Sequence, residues 1–150
     1  MPTYYFLIGI PGSGKSTYAN SLGCWIVSPD TIRETHQVSS PEAFEIARCE
    51  IAALLREGYD VVFDATNTLR QYRAENIAVG KPYADKVVCI LMNTPLDVCI
   101  ARHHERMKQG IHTTLPDTVI VRMAEQLADN PPELSEGFDE IRRIQPKGDA

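Results

Sequence analysis

The stretch YYFLIGIPGSGKS at residues 4–16 decides the fold of this chain. Its first five residues form an aromatic and aliphatic run that ends before a glycine, which is the pattern of a buried strand. The remaining eight, GIPGSGKS, satisfy the spacing G-x-x-x-x-G-K-[ST] and lead into a helical pattern from about Lys15. A strand, a glycine-rich loop and a helix in this order predict a site for the phosphates of a nucleoside triphosphate.

Each residue type in this loop suits its position. Glycine lets main-chain N–H groups approach a phosphate closely, and the start of a helix adds partial positive charge. We expect Lys15 to reach the terminal phosphates and Ser16 to bind magnesium. A glycine-rich turn that only joins a strand to a helix is the alternative. The residues predicted to hold the nucleotide are Gly12, Ser13, Gly14, Lys15, Ser16 and Thr17.

Strands and helices alternate along the rest of the chain. Apolar runs at 25–28, 59–64 and 86–92 predict three further strands, and a short final strand is expected at 140–144. This alternation predicts a three-layer α/β/α fold, with a parallel sheet of about five strands and helices on both faces. Ligands of such sheets bind at the carboxyl ends of the strands.

Two of the predicted helices have recognisable ends. We expect Ser40 to be the N-cap of one helix, Pro41 to be its first residue and Gly58 to end it. Thr94 gives a second start signal, with Asp97 in the capping-box position, for a helix running to about residue 107.

The composition fits one compact domain spanning residues 1–150. Apolar residues make up 43% of the chain and charged residues 23%, which excludes a disordered or fibrous protein. The longest aliphatic run, 87–92, is far shorter than the ~20 residues that cross a bilayer. No basic residue precedes Lys15, as a secretory leader would require, so we expect a cytoplasmic protein.

The net charge of −5 disfavours nonspecific adhesion to DNA or RNA. An enzyme that acts on a nucleic-acid end nevertheless needs only a few well-placed cations. The cysteines are widely spaced and predict free thiols, and the histidines lack metal-ligand spacing and predict packing or solvent-facing positions. These residues are Cys24, Cys49, Cys89, Cys99, His36, His103, His104 and His112.

Two apolar features are expected to belong to the core. Trp25 lies in a predicted strand, and residues 119, 120, 123 and 127 form a stripe at helical spacing. Packing inside the domain or against a second subunit would both satisfy such a stripe, so the sequence leaves the oligomeric state open.

Asp30 follows the second predicted strand and should emerge at the same edge as the glycine-rich loop. A carboxylate at this edge suits the base that orients and deprotonates an attacking hydroxyl in phosphoryl transfer. Helix capping explains an aspartate here equally well. Arg33 would share a helical face with Asp30 and hold a phosphate of the acceptor, or it would form a surface ion pair with Glu34 or another acid.

The third strand also ends in polar residues. Asp64 follows an apolar run, as in a Walker B segment that steers magnesium through water. Thr66 and Asn67 extend the polar edge and offer donors to substrate phosphates. An Asx or ST turn that ends the strand is the alternative.

A cationic helix completes the candidate site. Arg102 and Arg106 are four residues apart, and residues 102–112 carry a net charge of +2 in an otherwise acidic chain. This excess suits a lid that closes over the triphosphate and supplies an arginine to the developing charge. A solvated helix face with Glu105 as a local counterion is the alternative.

The set of motifs resembles the 5′-kinase domain of polynucleotide kinases, which include phage end-healing enzymes and bacterial RNA-repair kinases. The resemblance runs from residue 4 to about residue 144 and rests on GIPGSGKST at 9–17, Asp30-x-x-Arg33, Asp64-Ala-Thr-Asn67 and Arg102-His-His-Glu-Arg106. It implies an adenylate-kinase-like P-loop fold with a helical lid. It also implies transfer of the γ-phosphate of ATP, or another triphosphate, with Mg²⁺, to a 5′-hydroxyl end of DNA or RNA.

The resemblance also implies a role for individual residues. Asp30 corresponds to the general base, Arg33 to the residue that clasps the 3′-phosphate of the acceptor nucleotide, and Arg106 to the lid arginine that stabilises the transition state. Arg102 also falls on a lid arginine, and Lys15 and Ser16 keep their usual places. The acidic surface predicts contact with only a few terminal nucleotides. A kinase of a sugar acid, nucleoside or nucleotide, and a nucleotide-binding regulatory module without an acceptor, are the alternative functions.

Overall fold

A parallel five-stranded sheet forms the centre of the protein in a computed structural model, which describes residues 2–110 and 115–145. The strand order is β2-β3-β1-β4-β5 and every pairing is parallel. The predicted α/β class and strand number are therefore confirmed. The strands are β1 (Thr3–Ile8), β2 (Trp25–Val27), β3 (Val61–Phe63), β4 (Lys86–Met92) and β5 (Glu140–Ile144).

Helices connect successive strands and cover the sheet. Two short 3₁₀ turns, Lys81–Tyr83 and Leu134–Glu136, precede β4 and β5. The helices are α1 (Lys15–Ser21), α2 (Pro29–His36), α3 (Ser40–Arg56), α4 (Arg70–Gly80), α5 (Leu96–Lys108) and α6 (Asp117–Asp129).

The central strand β1 contributes to a core on each face of the sheet, because alternate side chains of a strand point to opposite faces. Tyr4 and Phe6 belong to a cluster that includes α3 and α4, where the Phe6 ring packs at a steep angle on Phe63. Leu7 belongs to the opposite cluster, which includes Ala19 of α1. All of these side chains are fully buried, so the sheet is covered on both faces as expected.

Three of the four residues in the helical stripe on α6 pack inside the protein. Ile120 is fully buried with Ile10 and Cys99, and Met123 and Leu127 pack against the same cluster. This contact places α6 against α5 and beneath the loop that follows β1. The described part of the chain thus accounts for the burial of these three residues without a second subunit.

Trp25 was expected in the core, and this expectation is wrong. Its side chain is 58% exposed because β2 is an edge strand and Trp25 is its first residue. Tyr59 packs edge-on against it with ring centroids 6.1 Å apart, and Tyr59 also lies before β3, which begins only at Val61.

Both predicted helix starts shift by one residue. Ser39, rather than Ser40, is the N-cap of α3, and its hydroxyl accepts a hydrogen bond from the Glu42 N–H at 3.4 Å. Pro95 occupies the N-cap position of α5, and within the described part of the chain no side chain caps that helix. Thr94 is used elsewhere, as described below.

Three of the four histidines lie in the described residues. His103 is buried and its Nε2 lies 2.7 Å from the Leu115 carbonyl oxygen, whereas His104 pairs with Asp117 and His36 is exposed. The expected packing and solvent-facing positions are therefore confirmed for these three. His112 lies outside the described residues. The four cysteines are free thiols.

Within residues 2–110 and 115–145, no helix combines the length and apolar character needed to span a bilayer.

A buried arginine ties α4 to the segment before β5. Arg73 is fully buried, and its guanidinium donates to both carboxylate oxygens of Glu136 at 2.8 and 3.2 Å. It also donates to the main-chain carbonyls of Asn67 and Asn130 at 3.0 and 2.8 Å. These bonds compensate the buried charge and join the end of α6 to the loop after β3.

We expect Arg73→Ala to destabilise the protein by ~3–5 kcal/mol, because it removes a fully buried guanidinium and leaves the nearly buried Glu136 carboxylate without its shortest ion pair. Urea unfolding followed by circular dichroism measures the change. Arg142→Ala is the control, since it removes a half-buried arginine that pairs with the partly exposed Glu140, and we expect a much smaller effect. Equal loss of stability in both variants would show that the Arg73 network contributes little.

Candidate nucleotide and acceptor site

The loop at residues 9–14, here called the phosphate loop, joins β1 to α1 at the carboxyl edge of the sheet. Gly12 and Gly14 have φ angles of 84° and 92°, a left-handed conformation that favours glycine. A Cβ atom at Gly12 would lie 2.6 Å from the Cys99 carbonyl oxygen. Glycine is required at this position both for its backbone angle and for its close approach to α5.

Hydrogen bonds from other elements hold the phosphate loop in place. The Thr94 hydroxyl donates to the Ser13 carbonyl at 2.7 Å, and Arg102 donates from Nη1 to the Gly12 carbonyl at 3.1 Å. On the other side, the Gly9 N–H donates to the Thr66 carbonyl at 3.1 Å. The loop is thus fixed from both β3 and α5, as a rigid phosphate cradle requires.

Ser16 and Asp64 meet at the foot of the phosphate loop. The Ser16 hydroxyl donates to Asp64 Oδ2 at 2.9 Å, which brings the two predicted magnesium residues together. Asp64 Oδ1 is buried and has no hydrogen-bond partner among residues 2–110 and 115–145. Such an acceptor is costly unless a water or cation satisfies it.

The donor set at Ser16 and Asp64 fits Mg²⁺. This ion prefers oxygen ligands, keeps several waters and is usually held by one or two protein groups together with substrate phosphates. The described ranges contain no group of three or more His, Cys, Asp or Glu residues suited to a metal held by the protein alone. A hydroxyl and a carboxylate beside a phosphate loop are sufficient for a metal that binds with the nucleotide.

Asp30 lines the same cavity as Lys15, Ser16 and Asp64. The cavity has a volume of about 290 Å³ and lies between the start of α1 and the start of α2. Sequence reasoning placed these residues at one edge of the sheet, and the structure brings them together. The arrangement offers a carboxylate next to the group that would hold the terminal phosphate.

The capping alternative for Asp30 does not hold. Ser28 is the N-cap of α2, and its hydroxyl accepts a hydrogen bond from the Thr31 N–H at 3.3 Å. Asp30 is instead the second residue of the helix, and its side chain is 75% exposed. Its carboxylate is therefore open to a second molecule.

Arg33 contacts Asp30 directly. Its Nη2 lies 3.1 Å from Asp30 Oδ1, and its Nη1 donates to the Ser40 hydroxyl at 3.1 Å. The ion pair joins residues three apart on one helical face, as expected from their spacing. The Arg33 side chain remains 44% exposed, so it can also contact a ligand that approaches Asp30.

The two polar residues after β3 have different surroundings. Asn67 is buried with a φ of 51°, and its side-chain amide donates to the carbonyls of Leu7 at 2.7 Å and Ala65 at 3.4 Å. Its amide group is therefore occupied in fixing the end of β3, and the expected donation to a substrate phosphate is not what the geometry provides. Thr66 is half-buried and lines a second cavity next to the first site.

The two candidate lid arginines are also placed differently. Arg102 is half-buried and reaches the phosphate loop through Gly12, whereas Arg106 lies one turn further along α5 with an exposed side chain. Residues 111–114, within the predicted lid, lie outside the described residues.

Burial raises the pKa of the Cys99 thiol, so this residue of α5 stays neutral beneath the loop.

Sequence reasoning missed Thr94, Ser28 and Arg73 as residues that shape the site. Thr94 follows β4 and therefore lies at the carboxyl edge of the sheet, a signal that was read as helix capping. Ser28 follows β2 in the same way. No sequence pattern indicates that Arg73 is buried, because a lone arginine in a helix is ordinarily exposed.

The sequence of this chain matches a known protein family. A family model described as an AAA domain (AAA_33) matches residues 5–129. The Arabidopsis thaliana protein named transcription factor bHLH140 is 31% identical over 151 residues, a match that covers 90% of this chain and 15% of that protein. The chain thus spans less than a sixth of the length of that relative.

Solved structures share the fold. A chain of the Pnkp1/Rnl/Hen1 RNA repair complex has a TM-score of 0.78 at 24% identity, covering 99% of this chain and 49% of that one. A gluconokinase from Sinorhizobium meliloti has a TM-score of 0.60 at 18% identity, covering 96% and 82%. These likenesses support a P-loop kinase fold, for which nucleotide binding is the expected property.

We expect Ser16→Ala to remove most of the Mg²⁺-dependent gain in nucleotide affinity, because the hydroxyl beside Asp64 is lost. Titration of a fluorescent ATP analogue with Mg²⁺ and with EDTA measures this gain, which should fall about tenfold or more. Ser21→Ala is the matched control, since Ser21 is an exposed serine of the same helix that bonds to the Tyr18 carbonyl. An unchanged ratio in Ser16→Ala would exclude Ser16 as a magnesium ligand.

Proposed function

The chain belongs to the AAA domain family that matches residues 5–129, and we propose that it transfers the γ-phosphoryl group of ATP to a 5′-hydroxyl end of DNA or RNA. The observation that carries this proposal is the position of Asp30. It lines one cavity with Lys15, Ser16 and Asp64 and is paired with Arg33. A phosphate cradle and an exposed carboxylate that share a cavity suit transfer to an acceptor hydroxyl.

The phosphate loop would hold the donor. Its main-chain N–H groups and the start of α1 would surround the phosphates, with Lys15 at the terminal one. Gly12, Ser13, Gly14 and Thr17 belong to this cradle. Mg²⁺ bound with the nucleotide, through Ser16 and a water on Asp64, would neutralise phosphate charge.

Asp30 would act on the acceptor. The hydroxyl oxygen bonds to the γ-phosphorus, its proton passes to the Asp30 carboxylate, and the bond from phosphorus to the bridging β-γ oxygen breaks to release ADP. Arg33 holds the carboxylate at 3.1 Å and would bind the 3′-phosphate of the same acceptor nucleotide. The two residues together would place the hydroxyl in line with the transferred group.

The arginines of α5 would serve the transferring phosphoryl group. Arg106 would stabilise the developing charge from the lid, and Arg102 would fix the loop by its bond to Gly12 while contributing to the nucleotide site. Thr66 would contact the acceptor. Asn67 would instead fix the end of β3, next to the acceptor, through its hydrogen bond to the Leu7 carbonyl.

A kinase for a small phosphorylated or acidic acceptor is the second candidate. The likeness to a gluconokinase, at a TM-score of 0.60 over 96% of this chain, favours it. Arg33 alone does not separate the two, because both acceptors carry an anion. A regulatory module without an acceptor would not account for the position of Asp30 and Arg33 beside the phosphate loop.

Transfer from γ-labelled ATP to a 5′-hydroxyl oligonucleotide tests the proposal, with gluconate and nucleosides as competing acceptors. We expect Asp30→Asn to bind ATP normally and to lose transfer by about two to four orders of magnitude. Glu42→Gln is the matched control, because Glu42 is an exposed acid in the first turn of the neighbouring helix. Label on gluconate alone would overturn the oligonucleotide assignment. Near-normal transfer by Asp30→Asn would exclude Asp30 as the general base.

We expect Arg33→Ala to raise the KM for a 5′-hydroxyl acceptor with a 3′-phosphate about tenfold or more and to leave the KM for ATP nearly unchanged. An acceptor without that phosphate should show a smaller change. Arg56→Ala, at the far end of α3, serves as the control. An unchanged acceptor KM would contradict the predicted clasp.

A further inference from the structure

A second cavity, here called the side cavity, opens between α3 and α4 beside the candidate site. Its volume is about 430 Å³, within the ~300–1,000 Å³ that small-ligand sites occupy. Ser40 lines it and accepts the hydrogen bond from Arg33. Thr66 also lines it, and the main-chain carbonyl of Thr66 accepts a hydrogen bond from the Gly9 N–H of the phosphate loop. The side cavity therefore adjoins both the predicted acceptor clasp and the cradle.

Apolar and aromatic groups form much of the side cavity. Pro41 and Phe44 come from α3, and Leu69 and Tyr72 come from the start of α4. The Phe44 ring is held at 88° to Phe63 with centroids 6.4 Å apart, so this wall belongs to the core. The Tyr72 side chain is 55% exposed, which offers an aromatic surface to a ligand.

The charged groups of the side cavity are already paired. Arg48 donates to the side-chain oxygen of Asn76 at 3.4 Å and lies 3.8 Å from Glu75. Asn76 is buried, and its main-chain carbonyl accepts the Tyr4 hydroxyl at 2.9 Å, which fixes this wall. Arg48, the single cation among the described residues of the lining, is thus paired with an acid. This environment disfavours an anionic ligand such as a phosphate or a sugar acid.

We propose that the side cavity binds the heterocyclic base of the acceptor's 5′-terminal nucleotide. The inference rests on the proposed function, since it extends the acceptor beyond Asp30 and Arg33. A base has flat apolar faces that stack on aromatic rings and a polar edge that hydrogen-bonds to groups such as Asn76. Its sugar would connect the 5′-hydroxyl at Asp30 with a base in the side cavity, while Arg33 holds the 3′-phosphate of the same sugar.

Transfer kinetics with an intact 5′-hydroxyl oligonucleotide and with one whose first nucleotide lacks its base test this inference. For the natural protein we expect removal of the base to raise the acceptor KM about tenfold. Tyr72→Ala should raise the KM for the intact acceptor by a similar factor and should no longer distinguish the two acceptors. Tyr72→Phe, which keeps the ring, should behave as the natural protein. Tyr59→Ala, an exposed tyrosine at the opposite edge of the sheet, is the control for folding and basal activity.

The outcomes separate this inference from the proposed function. Transfer to both acceptors with equal KM would keep the oligonucleotide kinase and overturn the side cavity as a base site. A change in the KM for ATP alone in Tyr72→Ala would assign the cavity to the donor and would also overturn the inference. No transfer to any oligonucleotide by the natural protein would overturn both.

Discussion

The close contact between Gly12 and the main chain of Cys99 is the constraint on which the rest of the site depends. The phosphate loop passes so near α5 that a side chain at Gly12 would overlap the Cys99 carbonyl. This approach also brings the Gly12 carbonyl within reach of Arg102. The phosphate loop and α5 are thus tightly packed together. A movement of α5 would therefore also displace the main chain of the phosphate loop.

A second set of contacts fixes the loop that follows β3. Gly9 bonds to Thr66, Asn67 bonds to Leu7, and the buried Arg73 holds the Asn67 carbonyl. The loop after β3 is therefore determined by the sheet on one side and by α4 on the other. Such rigidity suits phosphoryl transfer, in which positioning and charge stabilisation account for most of the catalysis.

Sequence reasoning predicted the strands, the phosphate loop and the common edge of the polar residues well. It missed α4 because two of the four buried residues of that helix, Arg73 and Asn76, are polar, so apolar periodicity was weak. It placed Trp25 in the core because an aromatic residue in a strand is usually buried, but β2 lies at the edge of the sheet. Strand order depends on contacts distant in the sequence, which local patterns do not contain.

By itself the sequence determined the chemistry that each loop can offer: a glycine-rich turn, a lysine, a hydroxyl and carboxylates after successive strands. Those properties follow from local backbone preferences and side-chain type. The tertiary structure alone decided which of these groups share a cavity, because it sets the strand order and the packing of α2 and α5. It gave Asp30 an open cavity and an arginine partner, and it turned the Asn67 amide toward the main chain, where its donors satisfy buried carbonyls.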